Sequence, residues 1–310
     1  MIALLAPGQG SQTPGMLAPW LDDPTAAETL ARWSATTGLD LGHLGTDADA
    51  EEIKDTAVTQ PLVVAAALLA AARLAGRAEL PAAAPAAGHS VGELAAAAVA
   101  GVLTADAAVA LAAVRGRAMA AACALEPTGM SAVLGGKPDE VLARLDELGL
   151  DPANRNGAGQ IVAAGPVAAL AALAENPPER ARVKPLAVAG AFHTRFMAPA
   201  EETMRSHAAE VSPADPTRPL LSNADGTLLS DGAEALRRLV AQVTRPVRWD
   251  SCMATLQELG VTAVIELPPA GALVGLVKRD LKGTATVALK TPDDLQAAVD
   301  LITEHAGAEK

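Results

Sequence analysis

"AAGHSVGELAAA", residues 86–97, sets a histidine and a serine between two glycines at the head of an alanine-rich run. Gly88-His89-Ser90-Val91-Gly92 fits the G-x-S-x-G turn, in which a serine is pushed outward between a strand and a helix. Small flanking residues are needed there because bulk would clash in so tight a bend. "VGELAAAAVAGVL" reads as the helix after the serine, with its free N–H groups and positive dipole end facing the reacting centre. "APAAGHS" reads as the strand before it, although alanine has low strand propensity. In a Gly- and Ala-rich chain the same pattern also arises as a serine that only caps a helix. The motif therefore needs partners elsewhere.

Outward from this stretch, strands alternate with helices, the pattern of an α/β fold with a mostly parallel sheet. "IALLA" is a buried strand ending in the turn "PGQGSQ". Helices are expected at Thr25 to Thr37, at Gln60 to Ala75 with Pro61 in the opening turn, and from Thr104 to about Ala124. Past Glu126 the texture changes. "MSAVLGG", "KPDEVLARLDELG", "PANRNG", "QIVAAG", "PVAALAALAENP" and "RVKPLAV" succeed one another as β, α, β, β, α and β. That order predicts a ferredoxin-like subdomain over 127–188, inserted into a large α/β-hydrolase-like domain made of 1–126 and 189–310. The large domain resumes with a helix from Thr194 to Ala209, a strand in "RPLLSN", and helices at Ala233 to Val243 and Asp250 to Leu259. "TAVIEL" and "ATVALK" are strands, and a last helix runs from Pro292 to His305.

Composition narrows the function. Half of the 310 residues are hydrophobic, so a large core is available, packed mainly from Leu, Val and Ala because Phe, Tyr and Trp are scarce. The net charge of -12 argues against a nucleic-acid binder, which needs a basic face. Cys123 and Cys252 are isolated, so neither a disulfide framework nor a zinc site is expected. "MIALLAPGQG" lacks a signal-peptide pattern, and "LVVAAALLAAA" falls short of the ~20 apolar residues of a membrane span. A soluble cytoplasmic protein, acting as a monomer, is the expectation.

A serine nucleophile needs a base within about 2.6–3.2 Å. Of five histidines, His89 neighbours the serine, but adjacent strand residues point to opposite faces. His43, His207 and His305 lie in polar, helical or terminal contexts. His193, in "AVAGAFHTRFMAP", falls in a strand-end loop, where α/β sheets assemble their sites. Gln9, between two glycines, would offer a backbone N–H beside that of Val91 as an oxyanion hole. Arg115 lies in an apolar helix, where a buried guanidinium calls for an anion. Arg117 is its rival, and periodicity does not choose between them in so uniformly apolar a helix.

Together the pieces resemble the malonyl-CoA:acyl carrier protein transacylases, acyltransferases of fatty acid and polyketide synthesis. The likeness rests on "PGQGSQ", "GHSVGE" at 88–93, "RGRAM" at 115–119, "NRNGAGQIVAAG" at 154–165, "GAFH" at 190–193 and "QVTRPVRW" at 242–249, in order and in spacing. It implies that Ser90 is acylated with His193 as base, and that Gln9 and Val91 supply oxyanion N–H groups. Arg115 would hold the malonyl carboxylate, and the Gln242 carbonyl would orient His193. Asn156 would lie near the cleft, and Phe192 with Val91 would favour malonyl over methylmalonyl groups. The substrates implied are malonyl-CoA and an acyl carrier protein bearing phosphopantetheine, with no metal and no cofactor of the enzyme's own. An acidic carrier would dock on a local basic cluster, either Arg180, Arg182 and Lys184 or Lys278, Arg279 and Lys282.

Two other readings compete. An α/β-hydrolase of esterase or thioesterase type shares G-x-S-x-G, but its histidine usually lies near the chain end, whereas His193 does not. A carrier-binding scaffold without catalysis would not need both Ser90 and His193.

Overall fold

Ile2–Ala6 (β1) is buried at every position, as a strand covered on both faces must be. The structure, a computed structural model, describes residues 1–306; the last residues of the expected large domain, 307–310, lie outside them. Next come the helices Pro24–Thr37 (α1), Leu41–Thr46 (α2) and Thr56–Ala75 (α3). Ala86–Gly88 (β2) leads through the serine turn into Gly92–Val99 (α4), and Thr104 caps Ala105–Cys123 (α5). Thr128–Gly135 (β3), Pro138–Glu147 (α6), Asp151–Gly157 (β4), Gln160–Pro166 (β5), Val167–Glu175 (α7) and Ala181–Pro185 (β6) follow in turn. Then come Ala198–Ala208 (α8), Leu220–Leu221 (β7), Leu228–Leu229 (β8), Gly232–Ala241 (α9) and Trp249–Glu258 (α10). Ala263–Glu266 (β9), Ala272–Asp280 (α11), Ala285–Ala288 (β10) and Leu295–Ala306 (α12) complete the described chain.

The first sheet runs β10-β9-β1-β2-β7-β8, with every neighbour pair parallel except β7 and β8. Ala6 at the end of β1 lies opposite Gly88 at the end of β2, so the "PGQG" loop and the serine turn emerge side by side. This is the carboxyl edge, where open α/β sheets place their sites.

The second sheet runs β4-β5-β3-β6 and is antiparallel throughout. One face, with Val133 and Ile161, packs on Val141, Leu145, Leu170 and Leu173 in a core of its own. Met130 and Val162 belong instead to the main core. The second sheet is tied to the segment ahead of α10 where Asn154 of β4 bridges to Val247. There the Arg155 N–H donates to the Val247 carbonyl, and the Val247 N–H to the Ala153 carbonyl, each at 2.9 Å.

Several expectations need correction. Helix α3 begins at Thr56, capped by the Asp55 carboxylate, so Pro61 lies inside the helix rather than in its opening turn. At 20 residues, α3 reaches the length and apolarity of a membrane span, which the apolar run alone did not suggest. It is buried on almost all sides against α4 and α5, as a core helix must be when it is apolar all round. Helix α11 was not anticipated, nor were the short helix α2 and the β7–β8 hairpin. The start of the helix expected at Thr194 is a 3-10 turn, Arg195–Met197, ahead of α8.

Candidate active site

The serine turn is as tight as its glycines imply. A Cβ on Gly88 would sit 2.0 Å from the Gly92 carbonyl oxygen, and one on Gly92 would sit 2.3 Å from that of Ala6. Ser90 itself takes φ 54°, a left-handed conformation that costs a non-glycine residue energy and persists only where the surroundings impose it. Asn223 imposes it from below. Its Nδ2 donates to the Gly88 carbonyl at 2.7 Å, and its Oδ1 accepts the Ser90 N–H at 2.9 Å.

His193 comes from the loop between β6 and α8 and also has positive φ, 61°. Its Nε2 lies 2.7 Å from the Ser90 Oγ, and its Nδ1 lies 2.8 Å from the Gln242 carbonyl oxygen. A carbonyl only accepts, so Nδ1 carries the proton and Nε2 presents its lone pair to the serine hydroxyl. Burial, with the Arg115 charge nearby, pushes the His193 pKa down to about 3, against the upward pull of the Gln242 carbonyl. The imidazole is therefore a neutral base at neutral pH.

Arg115, which α5 aims inward, is almost fully buried. Its Nη1 donates to Gln60 Oε1 at 2.7 Å, and its Nη2 to Gln242 Oε1 at 2.9 Å and to the Ser90 Oγ at 3.3 Å. Burial lowers its pKa to about 10, which still leaves it charged. No carboxylate touches the guanidinium among the described residues, so a buried cation stands beside the serine with only neutral partners. Arg117, the rival by sequence, turns away and donates to the Thr37 carbonyl at 3.0 Å.

Gln9, Ser90, Arg115, Asn156, Phe192 and His193 line one cavity of about 220 Å³. Three larger grooves, about 530 Å³ beside Trp33, about 560 Å³ between α8 and α9 and about 500 Å³ beside Thr56 and Val188, contain no serine, cysteine or histidine. Chemistry, not size, marks the site. The Gln9 side chain is held by Thr56 Oγ1 at 3.2 Å, and the Gln9 and Val91 backbone N–H groups meet no protein acceptor among the described residues. The Val91 side chain is buried in the core. As expected, His89 does not reach Ser90: its Nε2 lies 2.8 Å from Asn156 Oδ1, and its ring packs edge-on against Trp249.

Among the polar residues of the site that went unnoticed in the sequence are Gln60, Glu93 and Asn223. Glu93 accepts the Asn223 N–H at 2.7 Å and the side-chain amide of Gln242, and burial raises its pKa to about 7. The signal that flagged Arg115, a polar group inside an apolar run, also marks Gln60 and Glu93. Asn223 carries no comparable local signal.

The acyl transferase domain family matches residues 4–303 of the chain. The malonyl CoA-acyl carrier protein transacylase of Mycobacterium tuberculosis (strain ATCC 25618 / H37Rv) is 60% identical over 302 residues, covering 97% of this chain and 100% of that protein. The crystal structure of MCAT from Mycobacterium tuberculosis superposes with a TM-score of 0.93 at 59% identity, covering 96% of this chain and 99% of the other. A malonyl-transacylase in complex with its type II PKS acyl-carrier protein superposes with a TM-score of 0.88 at 29% identity, over 96% and 99% of the two chains.

Proposed function

The chain belongs to the acyl transferase family, among its malonyl CoA-acyl carrier protein transacylases, and on that premise we propose that it transfers malonyl groups through a malonyl-Ser90 intermediate. Ser90 Oγ attacks the thioester carbonyl of malonyl-CoA while His193 Nε2 takes its proton. The Gln9 and Val91 N–H groups receive the oxyanion of the tetrahedral intermediate. Collapse expels the CoA thiolate, which takes the proton back from His193. In the second half the phosphopantetheine thiol of the acyl carrier protein gives its proton to His193 and attacks the malonyl-serine ester. The tetrahedral intermediate collapses to the malonyl thioester and expels Ser90 Oγ, which takes the proton back from His193.

One observation carries this reading: the guanidinium of Arg115 stands 3.3 Å from the Ser90 Oγ with no carboxylate against it among the described residues. A planar fork so placed can take the distal carboxylate of a malonyl group whose thioester carbonyl reaches the serine. An esterase or thioesterase would have no use for it. Phe192, next to the base and lining the cavity, is the residue proposed to exclude a methyl branch; Val91, expected to share that role, turns its side chain into the core and does not line the cavity. Asn156 is proposed to act on the cleft through His89.

The succession β3-α6-β4-β5-α7-β6 and the strand order β4-β5-β3-β6 support reading the second sheet and its helices as a ferredoxin-like subdomain over 127–188. Docking of the carrier is proposed on its open face. Directly opposed residues in a sheet share a face. Ala132 lines the cavity and lies opposite Lys184, and Leu134 lies opposite Arg182, so both cations extend the wall of the cleft outward.

The reading is tested by the fate of the malonyl group. Mixed with malonyl-CoA and holo-carrier, the chain should load the carrier thiol and release little free malonate. Rapid malonate release without carrier loading would favour the hydrolase reading.

A further inference from the structure

Beneath the serine turn, away from the cavity, lies a carboxyl group that the proposed reaction does not use. Glu93 sits in the first turn of α4, buried, and no cation touches it among the described residues. Both of its partners are tied to the reacting groups. Asn223 clamps the Ser90 N–H and the Gly88 carbonyl. Gln242 gives its side-chain oxygen to Arg115 and its backbone carbonyl to His193.

The polarity of this chain of contacts runs one way. The Gln242 NH2 group faces only acceptors: Glu93, the Ser90 carbonyl at 3.0 Å and Asn223 Oδ1 at 3.1 Å. An amide held in that manner cannot turn over, so its oxygen is always delivered to Arg115. Glu93 thus orients the guanidinium through a neutral group. A direct ion pair would hold the arginine equally well, but it would satisfy the cation before a substrate carboxylate arrived.

We infer that Glu93 is a positioning residue for carboxylate recognition. Through the Gln242 side chain it fixes Arg115 with its fork open to the cavity and its charge unpaired. The inference rests on the reading of Arg115 as the malonyl-carboxylate site.

The test compares single-turnover acylation of the full chain by malonyl-CoA and by acetyl-CoA, which lacks the carboxylate, across substrate concentration. Glu93→Gln leaves one side-chain oxygen for two donors. Kept by the fixed Asn223 backbone N–H, that oxygen leaves the new NH2 group against the Gln242 amide, which must turn and cost Arg115 an acceptor. The half-saturating concentration of malonyl-CoA should rise about tenfold or more, the scale of one hydrogen bond to a charged group. The maximal malonyl rate and the acetyl reaction should each change by less than about threefold, the pattern of lost binding rather than lost chemistry. In Glu93→Gln with Gln242→Glu, the new amide can donate to the new carboxylate, which now pairs Arg115 directly but also faces the Ser90 carbonyl and Asn223 Oδ1. The double variant should still lack the malonyl preference. A malonyl-over-acetyl preference within about twofold of the parent's in either variant overturns the inference, since one lost hydrogen bond moves it further. If Glu93→Gln does not fold, the double variant carries the same test. Failure of both to fold would assign Glu93 to stability alone and would also overturn it. A parent chain with no malonyl preference would instead overturn the reading of Arg115, and this inference with it.

Discussion

His193 Nε2 and Ser90 Oγ lie 2.7 Å apart although 103 positions separate them in the chain. Two residues in left-handed conformations meet across the carboxyl edge of the parallel sheet, and each is held there by an asparagine or glutamine. Strain at both is retained because the surrounding hydrogen bonds leave no alternative. The expected outcomes below follow from that arrangement.

Gly92→Ala should damage the fold before it damages the chemistry. The added methyl would lie 2.3 Å from one backbone oxygen and 2.5 Å from another, and backbone cannot swing aside. Thermal unfolding should show a loss of about 1–3 kcal/mol or more, the usual range for overpacking. An unchanged Tm would mean that the turn is looser than described.

Arg115→Ala should separate substrates by charge. Malonyl transfer loses a hydrogen-bonded ion contact worth about 1.5–3 kcal/mol, roughly a ten- to hundredfold fall in kcat/KM. Acetyl transfer, which offers no carboxylate, should fall far less. Equal losses for both would remove the carboxylate role of Arg115.

The acid limb of the reaction should lie well below the ordinary histidine range. Burial and the Arg115 charge depress the His193 pKa from 6.5 to about 3, so the neutral base persists as pH falls through 6.5. A malonyl carboxylate on Arg115 cancels one of these causes. The limb for bound malonyl-CoA should therefore sit at higher pH than for bound acetyl-CoA. Rates of serine acylation against pH would show both effects, and a limb at or above 6.5 for the free enzyme would contradict them.

Reversing the open-face cations should act on the carrier alone. With Arg182→Glu and Lys184→Glu, KM for an acidic carrier should rise and its salt dependence weaken, while KM for malonyl-CoA holds. A carrier KM that does not move would place docking elsewhere.

Much of the architecture was legible because it is written in local pattern. The serine turn could be read from two glycines whose absent side chains leave room for backbone, and the α/β alternation from periodicity. Helix α11 escaped for a physical reason. Its N-terminal amides are capped from a distance by Glu266 at the end of β9, which accepts the N–H groups of Gly271, Leu273 and Val274, so no local cap announces it. For α3 the cap at Asp55 outweighed Pro61 as the start signal. Periodicity could not choose Arg115 over Arg117, because an apolar helix buried nearly all round has no face that it can identify; the family resemblance named Arg115, and the fold shows Arg117 turned away. Asn223 and Gln242 were harder still. Their side chains act on residues more than a hundred positions away, and nothing near them in the chain records it.

The account's central claim is that Ser90 carries the malonyl group, and intact-mass measurement after mixing with malonyl-CoA tests it most directly. One malonyl adduct, mapped by peptide fragmentation to Ser90, lost in Ser90→Ala and slowed severely in His193→Ala, is the expected result. An adduct on another residue, or one that survives in Ser90→Ala, would contradict the claim.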